Sequence, residues 1–290
     1  MKIARFDDNR LGLVEGDQVK DVTAALDILP RVGYPLPLHD PLIAHLDAVC
    51  AEIRRLAPTA QALPLAGRTW LAPVANPGKI VAAPVNYQKH LDEAREQVEI
   101  HHNNQVIEIQ KIGLFLKATS SLVGPSAGVA IEHLDRRNDH EAELVVIIGQ
   151  GGRNISRANA MRHVAAYTCG LDMTVRGPEE RSLRKSVDSY SVLGPWLVTA
   201  DEMAHPDQMD FSLHVNGELR QKANTRDLIL DIPHLIEFAS SFYSLRTGDL
   251  LYTGTPEGVA PVHPGDVITT SFAGIGEMTV AVRSSQASRP

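Results

Sequence analysis

The sequence predicts a mostly β chain with α+β elements, in which a rolled sheet carries two or three helices behind a small α+β segment at the N-terminus. Three observations predict it. The apolar runs are short and rich in strand-favouring residues, helical periodicity is confined to a few stretches, and a Pro- and Ala-rich interval from Pro58 to Gly67 divides the chain. Length agrees, because single cores stop growing at about 250 to 300 residues. A chain of 290 residues is therefore expected to form one small and one large domain, 1–70 and 71–290.

The elements follow in order. Ile3 to Phe6, Leu11 to Val14 and Gln18 to Val22 are short runs separated by Asp7-Asp8-Asn9 and Glu15-Gly16-Asp17, a pattern of antiparallel strands joined by turns. From Leu42 to Leu56, the residues Ile43, Leu46, Val49 and Ile53 recur at helical spacing, and the boundary near residue 70 follows. Beyond it, Ile80 to Ala83, Leu114 to Leu116, Leu144 to Ile148, Trp196 to Val198, Leu213 to Val215 and Val267 to Thr270 read as strands. Ser156 is placed to cap a helix, and after Asp231 the residues Ile232, Leu235, Ile236, Ala239 and Phe242 fall at turn spacing. Arg95 to Lys111, with His101-His102-Asn103-Asn104, is polar and aperiodic. It reads as a mobile loop near a site or as plain surface loop. The tail Ser284 to Ser288 is expected to fray, and no internal repeat suggests a solenoid.

Composition narrows the function classes. Apolar residues make up 43% and charged residues 22% of the chain, the balance of a globular protein able to bury a large core. A net charge of -7 and the absence of a long Lys/Arg run disfavour nucleic acid as a partner. Two cysteines, Cys50 and Cys169, form neither a disulfide framework nor a clustered metal site. Met1 to Phe6 lacks the apolar core of a signal peptide, and no run approaches the ~18 apolar residues of a membrane span, so no membrane partner and a cytoplasmic location are expected.

Candidate chemistry begins with Asp139-His140-Glu141-Ala142-Glu143, which runs into the apolar stretch Leu144 to Ile148. Period-two alternation puts Glu141 and Glu143 on one face. Carboxylates that close resist burial unless a cation or proton lies between them, and Mg²⁺ or Mn²⁺ suits such an all-oxygen set. Two exposed acids at a strand end are the alternative. Asp172 strengthens the metal reading because it stands between apolar residues in Leu171-Asp172-Met173-Thr174, where an unpaired acid is costly. A metal shared with Glu141 and Glu143 answers that cost, and so does a plain ion pair with Arg176.

The second constellation lies in Val85-Asn86-Tyr87-Gln88-Lys89-His90-Leu91-Asp92-Glu93, read as the opening of a helix that puts His90 and Glu93 on one face. A carboxylate on one ring nitrogen raises the basicity of the other, which makes a general base for water. A surface ion pair is the competing reading.

Taken together, Asn86-Tyr87 with His90 and Glu93, Phe115-Leu116-Lys117, Glu141-Ala142-Glu143-Leu144, Leu171-Asp172-Met173-Thr174, Lys185-Ser186 and Thr253-Gly254-Thr255-Pro256 resemble the fumarylacetoacetate hydrolase family, over residues from about 70 to 283. The resemblance implies a mixed β-roll catalytic domain, a homodimer, and Mg²⁺ or Mn²⁺ held by Glu141, Glu143 and Asp172. It further implies that His90 with Glu93 activates water, that Lys185 and Arg176 hold or polarise the substrate, and that Thr255 binds its carboxylate. Tyr87 and Lys117 are candidates for the same pocket. Where members often continue with Ala-Arg-Asp after the aspartate motif, this chain has Val175-Arg176-Gly177-Pro178-Glu179-Glu180, followed by Arg181, Arg184 and Lys185. That departure leaves substrate choice open, and Arg181 and Arg184 read equally well as a solvated turn. The expected activity is hydrolysis of a carbon–carbon bond in a small oxo acid, an acylpyruvate or related β-diketone acid. The alternatives are isomerisation or decarboxylation of a hydroxymuconate-like diacid and, in another class, a non-catalytic metal-binding protein.

Overall fold

The predicted apolar runs become strands of two large sheets in a computed structural model that describes residues 1–102 and 105–285. The larger sheet runs in the order Ala62–Pro64, Gln18–Asp21, Arg10–Glu15, Lys2–Phe6, Ser191–Thr199, Val164–Asp172, Ala142–Ile148, Leu250–Tyr252, Ile80–Ala82 and Phe115–Lys117. Its pairs on this path are antiparallel except that Leu250–Tyr252 runs parallel to Ile80–Ala82. The second sheet orders Glu218–Asn224, Asp210–Val215, Val267–Phe272, Gly276–Ser284 and Val129–Ile131. The mixed, strand-rich architecture expected from the sequence is therefore present.

Alternation along Ala142–Ile148 explains how the layers meet. Leu144, Val146 and Ile148 join Leu213, Ile268, Phe272 and Val280 of the second sheet in one core. Val145 and Ile147 point the other way, into a core with Ile3, Leu11, Ile80 and the Val49 and Ile53 face of the helix Leu46–Leu56. A strand buried on both faces has no polar side to display, which is why it reads as a continuous apolar run. The N-terminal strands share this framework: Lys2–Phe6 pairs with Ser191–Thr199 through Ile3 opposite Leu197 and Ala4 opposite Trp196.

Three helices reach nine residues among the described residues: Leu46–Leu56, Gln88–Glu96 and Ile232–Phe242. Asp231 caps the last, accepting from the His234 N–H at 2.9 Å. The helix expected after Ser156 is instead a 3-10 turn, Arg157–His163. The Ser156 hydroxyl does not cap it and instead accepts from the Asn159 side chain at 3.2 Å. The 95–111 segment carries the short helices Val98–His101 and Ile109–Ile112, while Asn103 and Asn104 lie outside the described residues, as does the predicted fraying beyond residue 285. No helix among the described residues is long and apolar enough to cross a membrane.

Candidate metal centre and active site

Glu143 lies near the start of the two-faced strand and Glu141 just before it, both on the side of Val145 and Ile147, and Asp172 closes the neighbouring strand, Val164–Asp172. The register sets Ala142 opposite Leu171, and the Asp172 N–H donates to the Glu141 carbonyl at 2.9 Å. One carboxylate oxygen from each of the three acids lies within 4.8 Å of the others, and all three residues are buried.

Cations surround two of the three. Lys185 Nζ donates to Glu141 Oε2 and Asp172 Oδ2, both at 2.6 Å. Lys117 donates to Asp172 Oδ1 and, at 2.8 Å, to the Tyr190 carbonyl. Arg176 donates to Asp139 Oδ2 at 2.8 Å and Glu141 Oε1 at 3.1 Å, so the Asp172 to Arg176 pair weighed from sequence does not form. Burial pushes the Glu141 carboxyl upward, but Lys185 and Arg176 hold it below the usual range. Glu143 has no cation bonded to it among the described residues. Its one hydrogen bond comes from the Gly254 N–H at 2.7 Å, and burial, with Asp172 next in effect, drives its pKa well above the ordinary carboxylate value. A buried acid in that state needs a proton or a cation, and three converging carboxylates with hard oxygen donors fit a divalent ion.

Gly254 is at φ +103°, and a Cβ there would come within 2.6 Å of the Asn86 Cβ. Glycine is needed for the turn that brings its N–H onto Glu143. Asn86 closes the same turn, donating to the Thr253 carbonyl at 2.8 Å and the Leu230 carbonyl at 2.9 Å.

The helix Gln88–Glu96 presents His90 and Glu93 three residues apart, and His90 Nδ1 meets Glu93 Oε2 at 2.9 Å. The other Glu93 oxygen accepts from the Gly258 N–H at 3.0 Å, which fixes the carboxylate, and His90 itself lines a cleft. That cleft is partly open to solvent and is lined by both charged and apolar side chains. His90, Glu141, Arg176, Lys185 and Thr255 line it. So does Val85, whose φ of +43° is costly for a β-branched residue and belongs to a class of strain that clusters at functional sites.

The structure thus brings Glu141, His90, Lys185, Arg176 and Thr255 to one cleft, with Asp172 behind Lys185, Glu143 beside Glu141 and Glu93 behind His90. Lys117 is fully buried behind Asp172, and the Tyr87 ring packs edge-on against Phe211 at 6.2 Å between centroids. Gln221, not singled out from sequence, links the parts: its Nε2 donates to Thr255 Oγ1 at 2.8 Å and its Oε1 accepts from the Ala142 N–H, between the two glutamates, at 3.0 Å. Its strand, Glu218–Asn224, has exposed Leu219 beside buried Gln221, so alternation of residue types gave no signal. Arg181 and Arg184 also line the cleft.

Comparison with known proteins agrees with this geometry. The family described as "Fumarylacetoacetate (FAA) hydrolase C-terminal" matches residues 79–283. A maleylpyruvate hydrolase of Aquipseudomonas alcaligenes is 57% identical over 288 residues, covering 98% of this chain and 100% of the relative. The crystal structure of a maleylpyruvate hydrolase from Sphingobium sp. SYK-6, in complex with manganese(II) ion and pyruvate, superposes with a TM-score of 0.83 at 40% identity, covering 98% and 99% of the two chains. A 4-hydroxyphenylacetate degradation bifunctional isomerase/decarboxylase of Salmonella dublin is 35% identical over 93% of this chain and 56% of its own length.

Proposed function

The chain belongs to the fumarylacetoacetate hydrolase family, and from that premise we propose that it is a divalent-metal-dependent hydrolase that cleaves a carbon–carbon bond of an acylpyruvate and releases pyruvate. The observation that carries the reading is the full-length, 57% identity to a maleylpyruvate hydrolase, joined to a cleft where His90 faces Glu141, one member of a three-carboxylate cluster. The isomerase/decarboxylase relative is more distant.

A divalent ion, Mg²⁺ or Mn²⁺, held by Glu141, Glu143 and Asp172 supplies a Lewis acid for the oxygens of the 2-oxo acid head. The chain's own groups do the rest. The Thr255 hydroxyl, oriented by Gln221, donates to the substrate carboxylate, and the Lys185 ammonium lies where negative charge develops. His90 Nε2 takes a proton from water as the water oxygen adds to the acyl carbonyl, while Glu93 holds Nδ1 and stabilises the imidazolium. The bond between that carbonyl carbon and the adjacent methylene then breaks. Its electron pair stays with the pyruvate fragment, whose methylene carbon takes a proton, and the acyl fragment leaves as a carboxylic acid.

The test is a panel of acylpyruvates and hydroxymuconate-type diacids with Mg²⁺ and Mn²⁺, read by pyruvate release and by the ultraviolet spectrum of the residual substrate. Pyruvate release from acylpyruvates supports the proposal. Spectral isomerisation or CO₂ loss without pyruvate sinks it. The homodimer expected from the family resemblance is checked by light scattering, which should give twice the chain mass.

A further inference from the structure

The basic stretch after Arg176 takes no part in the chemistry above, yet it occupies one wall of the same cleft. Arg181 and Lys185 stand at the two ends of the helix Arg181–Lys185, and a spacing of four puts them on one face. Both cations lie over the Phe115 ring, each 5.6 Å from its centroid. Lys185 turns inward to Glu141 and Asp172, so Arg181 stands one helical turn, about 5–6 Å along the helix, from the residue that marks the head of the site.

Among the described residues neither outer arginine forms an ion pair, although Glu141 lies near enough to attract both. The Arg181 side chain makes no hydrogen bond or ion pair with any described residue. Arg184 donates only to backbone carbonyls, those of Glu179 at 2.8 Å and Val175 at 3.4 Å. Neighbouring acids are engaged elsewhere: the Glu179 carboxylate takes two bonds from Arg136, at 3.1 and 2.7 Å, and Glu180 accepts from the Ser182 N–H at 2.7 Å. Burial lowers the pKa of both guanidinium groups, a sign that each has lost water without gaining an equal partner. A planar guanidinium left open in a cleft is suited to a carboxylate, which it can hold through two parallel bonds.

We propose that Arg181, with Arg184 beside it, binds a carboxylate at the far end of the acyl chain and so makes a dicarboxylate the preferred substrate. The inference rests on the acylpyruvate hydrolase reading above and adds the residues that discriminate among acylpyruvates. A substrate with its 2-oxo acid head near Lys185 places a charged tail along the helix face toward Arg181. An acylpyruvate ending in a methyl group leaves both guanidinium groups unpaired.

The experiment compares kcat/KM for maleylpyruvate, which ends in a carboxylate, and acetylpyruvate, which ends in a methyl group, in wild type, Arg181→Met, Arg184→Met and Arg181→Lys. Leu183→Ala, on the exposed side of the same helix, is the control. The preference for maleylpyruvate should fall about 30-fold or more in Arg181→Met, mainly through KM, and by a smaller factor in Arg184→Met. Arg181→Lys should restore part of it, and Leu183→Ala should leave it intact. An equal loss on both substrates, or no change in preference, overturns the inference while the hydrolase reading stands. Failure of the wild type to release pyruvate from either substrate overturns both.

Discussion

At Glu143 a carboxylate is buried with a single backbone N–H as its hydrogen-bond partner among the described residues, while its neighbours Glu141 and Asp172 share Lys185. Exchanging it for the isosteric glutamine removes charge but little volume. Glu143→Gln should therefore weaken Mn²⁺ binding by at least about 100-fold, measured by titration calorimetry, without lowering the melting temperature. His90→Ala separates binding from chemistry: pyruvate release should drop by about 10²–10⁴ while Mn²⁺ affinity stays within about threefold. His140 makes a third case. Both its ring nitrogens are buried with no partner at good hydrogen-bond geometry among the described residues, and burial, only partly offset by Asp139 and the nearby Gln221 amide, lowers its pKa from 6.5 to about 4. Between those two pH values the unfolded chain binds a proton that the folded chain refuses, so stability falls as pH drops through 6.5 and levels off near 4. The loss attributable to His140 approaches about 3 kcal/mol at pH 4. Urea unfolding at pH 7 and 4.5 should show a smaller pH effect in His140→Phe than in wild type.

At the scale of elements, the turn through Gly254 ties the metal strand to the Asn86 segment. Gly254→Ala should cost about 2 kcal/mol or more, from the positive φ and the close approach to Asn86, and should weaken Mn²⁺ binding about tenfold as the N–H leaves Glu143. Thermal melts and calorimetry on the same preparation check both effects. This turn was visible in the sequence only as a motif, Thr253 to Pro256, whereas the strand it touches was legible as a continuous apolar run, Leu144 to Ile148. The His90–Glu93 pair was legible for a similar reason, because helical spacing is local. Gln221 was not, since its contacts with Ala142 and Thr255 lie 79 and 34 residues away. Ser156 shows the limit of local rules: the residue type suits a cap, but the hydroxyl is taken by Asn159. Nor did spacing decide between Asp172 pairing with Arg176 and Asp172 joining the glutamates. The second is observed because Asp139, from another strand, takes the Arg176 guanidinium.

Over the whole molecule, the site stands where strand ends, one helix and several loops meet on a sheet that the N-terminal strands extend. Lys2–Phe6 covers the edge of Ser191–Thr199, and Phe6 shares a core with Trp196 and Val198. Deleting residues 1–69 exposes that edge and its apolar face, and the shortened chain should aggregate or lose its cooperative melt, as read by light scattering and calorimetry. If one ion site serves one hydrolytic cleft per chain, a titration of chelator-stripped protein with Mn²⁺ reveals it. Pyruvate release from maleylpyruvate should rise linearly with added Mn²⁺ and break at one ion per chain. Turnover that is undiminished after chelation, or Mn²⁺ binding at this stoichiometry with no pyruvate formed, would rule out a metal-dependent hydrolase.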